Sequence, residues 1–139
     1  MYICFNYKDG GDWSGVILEA ILECKCQYGS STLVVGEGYR LRRDRDNPHD
    51  SNAVAVVGIA ISRKQASLKR DHAGMMAAVF DAGLISRNYA VLKPKSVPIY
   101  HSPRIGMTQT CNVAFRINED NMQTVKTLLT GHGLRVQFA

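Results

Sequence analysis

Short segments with strand-like patterns follow one another along this chain, and helices do not alternate with them. Polar and apolar side chains alternate over residues 39–44, and a β-branched apolar run covers residues 52–63 with a turn or bulge expected near Gly58. Residues 110–117 and 134–138 have strand patterns too. A doubly wound parallel sheet does not fit, because that fold needs a helix after almost every strand. The prediction is a mainly β (α+β) fold, a small curved barrel of about six strands with two helices.

Two segments have the spacing of helices instead. Apolar side chains three and four residues apart predict a helix over residues 69–83, and Gly83 is placed to end it in the left-handed conformation. The apolar positions of this helix are Ala73, Met76, Ala77 and Phe80. Asn118 is expected to cap a second helix that begins at residue 119, because acidic side chains follow it in the first turn, and Gly131 and Gly133 are expected after its end.

Residues 16–28 fit two structures. Apolar and charged side chains alternate there, which favours a strand, but Glu19 and Glu23 also stand one helical turn apart. We favour the strand. Residues 88–101 are expected to be extended, because their prolines suit the edge of a sheet.

Basic residues are the compositional feature that bears most on function. The 139 residues carry a net charge of +5, which favours a polyanionic partner. Two basic clusters flank the apolar run at residues 52–63, and we expect them to share a surface. The clusters are Arg40, Arg42, Arg43 and Arg45 on one side, and Arg63, Lys64, Lys69 and Arg70 on the other.

The chain has no sequence signal for a membrane or for export. No apolar run approaches the roughly 18 residues of a spanning helix, and the first residues lack the basic and long apolar segments of a signal peptide. We therefore expect a cytoplasmic or nuclear protein with no membrane partner. Residues 1–15 are expected to be an N-terminal extension, and residues 16–139 one domain.

Cysteine and histidine usage gives no support for a cofactor. The cysteines are too few for a disulfide framework, and they lack the partners of a tetrahedral zinc site, so we predict buried thiols. They are Cys4, Cys24, Cys26 and Cys111. The histidines at positions 72, 101 and 132 are dispersed. No metal and no cofactor is predicted.

The stretch "RRDRDNPHDSNAVAVV" at residues 42–57 is the candidate site. Asn47 and Pro48 form a common turn-starting pair, and the short polar side chains of the loop often bond their own backbone in such turns. These side chains are Asp44, Asp46, Asn47 and Asn52, and Asn52 is expected to bond the loop backbone under either interpretation. The same side chains could instead bind a ligand. The residues alone leave both interpretations open.

One motif in this stretch resembles a known family. The pattern Asn-Pro-x-Asp-x-Asn-Ala at residues 47–53, the basic start of the helix near residues 68–74, and the closing helix and strand at residues 125–138 are similar to the HIRAN domain. The resemblance covers residues 16–138. It implies an OB-like barrel that recognises the 3′-hydroxyl end of single-stranded DNA without catalysis and serves DNA repair or replication-fork processing. Family members are fused to helicases and nucleases, so such an enzyme is the expected partner, in the same chain or in another.

The resemblance also implies individual roles. Asp50 would accept the 3′-hydroxyl, with Asn47 and His49 at the adjacent polar and aromatic positions. Tyr28 would stack on a base, and Arg70 would lie near the terminal phosphate. The full set of implied DNA-binding residues is Tyr28, Arg43, Asn47, His49, Asp50, Ser67, Lys69, Arg70 and Met107.

Several positions depart from the family pattern. His49 stands in place of Tyr, Gln27 in place of Arg, and Ser67 in place of His. Ala66 replaces a Gly, and Met107 stands where an aromatic base-stacking residue is expected. These departures bear on affinity and on end specificity more than on the fold.

The chemistry of the implied residues suits recognition of a 3′-hydroxyl end. An ionised carboxylate only accepts hydrogen bonds, so it matches a 3′-hydroxyl and repels a 3′-phosphate. Pro48 would stiffen the loop that presents Asp50. Stacking on flat rings contributes roughly 1–3 kcal/mol per base for any base, so little sequence preference is expected.

Two other functions remain open from the sequence. A metal-dependent nuclease could use Asp44, Asp46 and Asp50, although the chain has no Walker A motif and its spacing fails as a calcium loop, with His49 and Ala55 at the positions that need Gly and Glu. An RNA- or protein-binding module on an OB-like barrel is the other alternative.

Overall fold

The computed structural model describes residues 17–28, 33–60, 63–85, 90–104, 106–130 and 134–138. The strands are β1 (Ile17–Tyr28), β2 (Tyr39–Arg43), β3 (Val54–Gly58), β4 (Lys64–Leu68), β5 (Val91–Pro94), β6 (Ile99–Ser102), β7 (Gly106–Asn118) and β8 (Arg135–Phe138). The helices are α1 (Arg70–Asp81) and α2 (Met122–Leu129), with a 3-10 turn (Glu119–Asn121) before α2. The N-terminal extension lies outside the described residues.

The strands form one antiparallel sheet that closes on itself. Their order is β6-β7-β5-β2-β3-β4-β1-β8, and β7 also pairs with β1. This second pairing closes the six strands from β7 to β1 into a barrel, which β6 and β8 extend at its edges. The predicted mainly β, OB-like barrel is confirmed.

The described residues contain eight strands, where about six were expected. The apolar run at residues 52–63 gives β3, which ends at Gly58, and the unpredicted strand β4 begins at Lys64. The register shifts between Val56 and Val57, which confirms the irregularity expected near Gly58. The extended segment at residues 88–101 also divides, into β5 and β6.

The two long strands, β1 and β7, form the longest strand pair described in the barrel. They pair continuously from Ile17 with Asn118 to Tyr28 with Met107. Leu22 and Cys26 are fully buried while Ile21 is 45% exposed, so β1 alternates between the core and the outside. The strand favoured for residues 16–28 is confirmed.

Both predicted helices are present, and the second is shorter than expected. In α1 the predicted apolar stripe is buried, and Gly83 takes φ 68°, the left-handed conformation that ends the helix. Asn118 accepts a hydrogen bond from the Asp120 amide and so caps the 3-10 turn. The α-helix itself begins at Met122 and ends at Leu129.

The core contains the two cysteines whose side chains are described. Cys26 and Cys111 are buried thiols with their Sγ atoms 3.1 Å apart, as predicted for them. Cys4 and the Cys24 side chain lie outside the described part. Among the described residues, no three His, Cys, Asp or Glu side chains form a metal-binding group. None of the helices described is both long and apolar enough to cross a membrane.

Candidate nucleic-acid interface

The loop between β2 and β3, residues 44–53, is a compact structure held by its own backbone. The Asp44 amide donates to the Ala53 carbonyl at 2.9 Å, which continues the ladder of the two strands by one step. The Ala53 amide donates to the Asp50 carbonyl at 3.1 Å, and the Asn47 amide donates to the Asp44 carbonyl at 3.2 Å. These bonds fix the ends and the middle of the loop.

Asn47 and Asp50 add side-chain bonds within the loop. Asn47 Oδ1 accepts from the amides of His49 at 2.9 Å and Asp50 at 3.2 Å, and Asp50 Oδ1 accepts from the Asn52 amide at 2.9 Å. The turn interpretation is therefore confirmed for Asn47, and Asp50 makes a bond of the same kind that was not predicted. Within the described ranges, Asp50 Oδ2 has no hydrogen-bond partner, and Asp50 is partly exposed.

Arg43 fastens this loop to helix α1. Its guanidinium donates to the carbonyls of Ala53 at 2.8 Å and Ser51 at 3.1 Å. It also forms a two-pronged pair with Asp81, at 3.0 Å from Nε and 3.2 Å from Nη2. The Arg43 side chain is only 10% exposed. Its donors are thus engaged inside the protein.

Two further ion pairs brace the loop from outside. Arg45 Nη2 lies 2.6 Å from Asp81 Oδ1, and hydrogen bonds from Arg43 and Arg45 lower the pKa of the Asp81 carboxyl. Lys64 Nζ donates to Asp44 Oδ2 at 3.2 Å. The pKa of Asp44 is lowered mainly by the hydrogen bond from the Asn47 side chain and then by Lys64. All these carboxylates are therefore ionised near neutral pH.

A second group of predicted residues gathers where β4, β1 and β7 meet. Ser67 pairs with Ala55 of β3 on one side and with Gln27 of β1 on the other. One residue further along β1, Tyr28 pairs with Met107 of β7. The side chains of Gln27 and Tyr28 lie outside the described part. Met107 is partly buried against the core.

The start of α1 is tied to β1 through the backbone of Lys25. The Lys69 amide donates to the Lys25 carbonyl at 2.8 Å, and the Lys25 amide donates to His72 Nδ1 at 2.9 Å. Burial lowers the pKa of His72, with the charges of Lys69 and Lys25 acting in the same direction and Asp71 acting against them. The ring is thus neutral at pH 7 and serves as an acceptor.

Lys69 and Arg70 stand beside this junction. Lys69 Nζ lies 3.7 Å from Asp71 Oδ2, and Arg70 is exposed as the first residue of α1. Among the residues described, no hydrogen bond or ion pair joins Asn47, His49 or Asp50 to this junction. The predicted residues therefore form two groups, one in the loop and one around the end of β1.

The comparisons with known proteins bear on the fold. No family model matches the sequence, and no curated protein matches it either. Among solved structures, the crystal structure of the HIRAN domain of human HLTF matches with a TM-score of 0.66 and 22% sequence identity. The match covers 86% of this chain and 95% of that chain. This chain has a HIRAN-like fold.

One exposed ring of the HIRAN-like domain escaped the sequence analysis. Tyr100 of β6 pairs with Met107 of β7, and it is 60% exposed. Met107 is therefore flanked by Tyr28 on β1 and by Tyr100 on β6. The sequence predicted only an extended segment around Tyr100. The strand register alone reveals that this tyrosine stands beside the position that lacks the expected aromatic residue.

Proposed function

We propose that this HIRAN-like domain is a non-catalytic module that binds the 3′-hydroxyl end of single-stranded DNA. The fold, the motif at residues 47–53 and the basic charge of the chain support DNA binding. The geometry of Asp50 carries the finer proposal. One carboxylate oxygen is fixed by the Asn52 amide, so the other is held in place and available as an acceptor.

This arrangement suits a hydroxyl and excludes a phosphate. A terminal 3′-hydroxyl can donate to Asp50 Oδ2, whereas a 3′-phosphate would bring a second negative charge to the same carboxylate. The loop is rigid before any ligand arrives, because Asn47 and Arg43 hold its backbone. Little ordering of the protein is then needed on binding.

The other predicted residues take three kinds of role. Arg43 and Asn47 position the loop, since their polar atoms bond it internally. Arg70 and Lys69 contact phosphates, and the Ser67 hydroxyl is a hydrogen-bonding partner for the strand. The rings that stack on bases are His49, Tyr28 and Tyr100, with Met107 as an apolar contact between the two tyrosines.

A module of this kind would direct an enzyme to a DNA end. The sequence has no Walker A motif, so a helicase motor would belong to another protein or to another part of a longer chain. A nuclease is the other partner class that the resemblance implies. The function would lie in DNA repair or in the processing of replication forks.

The decisive experiment compares strand ends on the unmodified protein. Fluorescence anisotropy would be measured with one short single strand ending in a 3′-hydroxyl, a 3′-phosphate or a blocked 3′-hydroxyl. We expect the 3′-hydroxyl strand to bind most tightly. Equal affinity for the three ends would overturn end recognition, and tighter binding of RNA or duplex DNA would favour a different nucleic-acid ligand. Strand cleavage that requires Mg²⁺ would overturn the non-catalytic assignment.

A further inference from the structure

The sheet formed by β5, β7, β1 and β8 has an outer face that no described helix covers. Cross-strand pairing places Lys93, Asn112, Glu23 and Arg135 in one row across these four strands. The next row consists of Val91, Ala114, Ile21 and Gln137. Ile21 is 45% exposed at the centre, and Lys93, Ala114, Arg135 and Gln137 are exposed as well. We call these two rows, together with Lys25, Lys95 and Arg116, the basic sheet face.

Cations dominate the basic sheet face. Its basic members are Lys25, Lys93, Lys95, Arg116 and Arg135. Its described acid is Glu23, and Glu19 on the same strand adds a second carboxylate in the sequence. Glu23 accepts a hydrogen bond from Lys95 and pairs in register with Arg135, and Lys95 is the main cause of its lowered pKa. The face therefore keeps a net positive charge at neutral pH.

A shallow groove runs across this face. Its volume is about 220 Å³, and it is lined by Ile21, Glu23, Lys95, Asn112, Arg135 and Gln137. The lining combines a guanidinium group, an ammonium group and the Glu23 carboxylate, to which Lys95 donates, with two amide side chains around an apolar centre. Such a surface offers charge and donors to phosphates and an apolar area to a sugar or a base.

The basic sheet face adjoins the proposed DNA-binding residues at the start of α1. Lys25 belongs to the face, and its backbone is bonded on both sides by the start of α1, through Lys69 and His72. Arg70 follows Lys69 directly. Alternate residues of one strand lie about 7 Å apart and neighbouring strands about 5 Å apart, so one step along β1 leads from Lys25 to Glu23 and one step across the sheet leads to Arg135.

We propose that the basic sheet face binds the phosphates of the same single strand on the 5′ side of its bound 3′ end. This inference rests on the proposed function, because the bound end determines which part of the strand reaches the face. Charge complementarity selects a polyanion and disfavours a second copy of this chain, whose equivalent face is also positive. The face adds affinity without end specificity, since it contacts the backbone of the strand.

The test compares the affinities of a short and a long oligonucleotide for the unmodified protein and for a variant in which the face has lost two positive charges. Anisotropy would be measured with 3′-hydroxyl strands of about 4 and about 12 nucleotides, which both lie within the usual range of site sizes for one OB fold. The variant is Lys93→Gln combined with Arg135→Gln. The matched control for a neutralised exposed lysine is Lys126→Gln, on α2 and outside the residues that define this face.

We expect the longer strand to bind the unmodified protein more tightly, and the double variant to lose that gain. The salt dependence of the longer strand should become shallower by roughly 1.4, because each phosphate contact with a single strand contributes about 0.7 to the slope. The short strand should keep its affinity and its preference for a 3′-hydroxyl over a 3′-phosphate.

Each remaining outcome contradicts a specific claim. Equal losses for both lengths, no loss for the longer strand, or an equal loss in Lys126→Gln would overturn the basic sheet face as a strand-binding surface. Tighter binding of duplex DNA or of an acidic peptide through Lys93 and Arg135 would overturn the single-strand occupant. A missing end preference in the unmodified protein would instead refute the proposed function, and the length series would still report on the face.

Discussion

Replacing Asp50 with Asn changes the proposed 3′-hydroxyl acceptor and preserves the loop. An asparagine can keep its Oδ1 atom on the Asn52 amide, where the aspartate oxygen now accepts at 2.9 Å. The second oxygen, Oδ2, then becomes an NH2 group, which cannot accept a hydrogen bond. Asp50→Asn therefore removes the acceptor at Oδ2 and the negative charge. Asp50→Ala would also remove the hydrogen bond to the Asn52 amide that forms the turn.

The expected loss follows from the bond that disappears. A hydrogen bond to a charged group contributes about 1.5–3 kcal/mol, which corresponds to roughly 10- to 150-fold in affinity for a 3′-hydroxyl strand. The lower end of this range is expected, because Asp50 is partly exposed to water. A 3′-phosphate strand should bind the variant more tightly than it binds the unmodified protein, because the repelling charge is gone. The preference between the two ends should therefore nearly vanish.

The assay is anisotropy titration with both strand ends, together with thermal unfolding of each variant. Asp46→Asn is the matched control, because it makes the same charge change in the same loop at an exposed residue. The control should keep the end preference, and both variants should unfold near the temperature of the unmodified protein. An Asp50→Asn protein that keeps the preference, or a control that loses it equally, would refute the role of Asp50.

Four further predictions concern the neighbouring groups. Arg43→Lys should lower the free energy of unfolding by about 1–3 kcal/mol in urea titrations, because one ammonium group cannot replace the several hydrogen bonds of a nearly buried guanidinium. An unchanged urea midpoint would contradict the structural role of Arg43 in holding the loop to α1. Arg70→Ala should weaken all strands alike and flatten the salt dependence; a changed base preference would contradict a phosphate contact. Tyr100→Leu should weaken the binding of single-stranded DNA by roughly 1–3 kcal/mol, because it removes a ring that stacks on a base. An unchanged affinity would exclude stacking by Tyr100. Burial lowers the folded-state pKa of His72 below its ordinary 6.5, so its contribution to stability is complete above that value and is lost as the pH falls through the folded pKa; His72→Asn, which keeps an acceptor without titrating there, should unfold with a weaker pH dependence.

Local sequence signals account for most of the fold. The alternation in β1, the apolar stripe of α1, the left-handed Gly83 and the Asn118 cap each involve residues within a few positions of one another. Strand β4 escaped prediction because its sequence, KQASL, has no β-branched residue. It is a strand because it pairs with β3 on one side and with β1 on the other. Long-range pairing, and not propensity, determines that element.

In the candidate site, too, contacts between near neighbours could be predicted from the sequence and contacts between distant residues could not. The bonds of Asn47 and Asp50 span two or three residues, so the loop could be anticipated from its sequence. The partner of Arg43 is Asp81, 38 positions away, and the neighbour of Met107 is Tyr100 across a register that shifts at that point. The role of Arg43 in DNA binding was implied by the resemblance, and no local feature of the sequence indicates its bonds to Asp81.

The loop also shows that a turn and a binding site need not exclude each other. From the sequence alone, a turn and a binding site are competing interpretations of this loop. A carboxylate has two oxygens, and the turn at Asp50 uses one of them. The bond to the Asn52 amide limits rotation of the carboxylate, so it directs the second oxygen as well. An acceptor held in this way loses less entropy on binding than a mobile one. The structural role of Asp50 is thus part of the physical argument for its proposed role in binding.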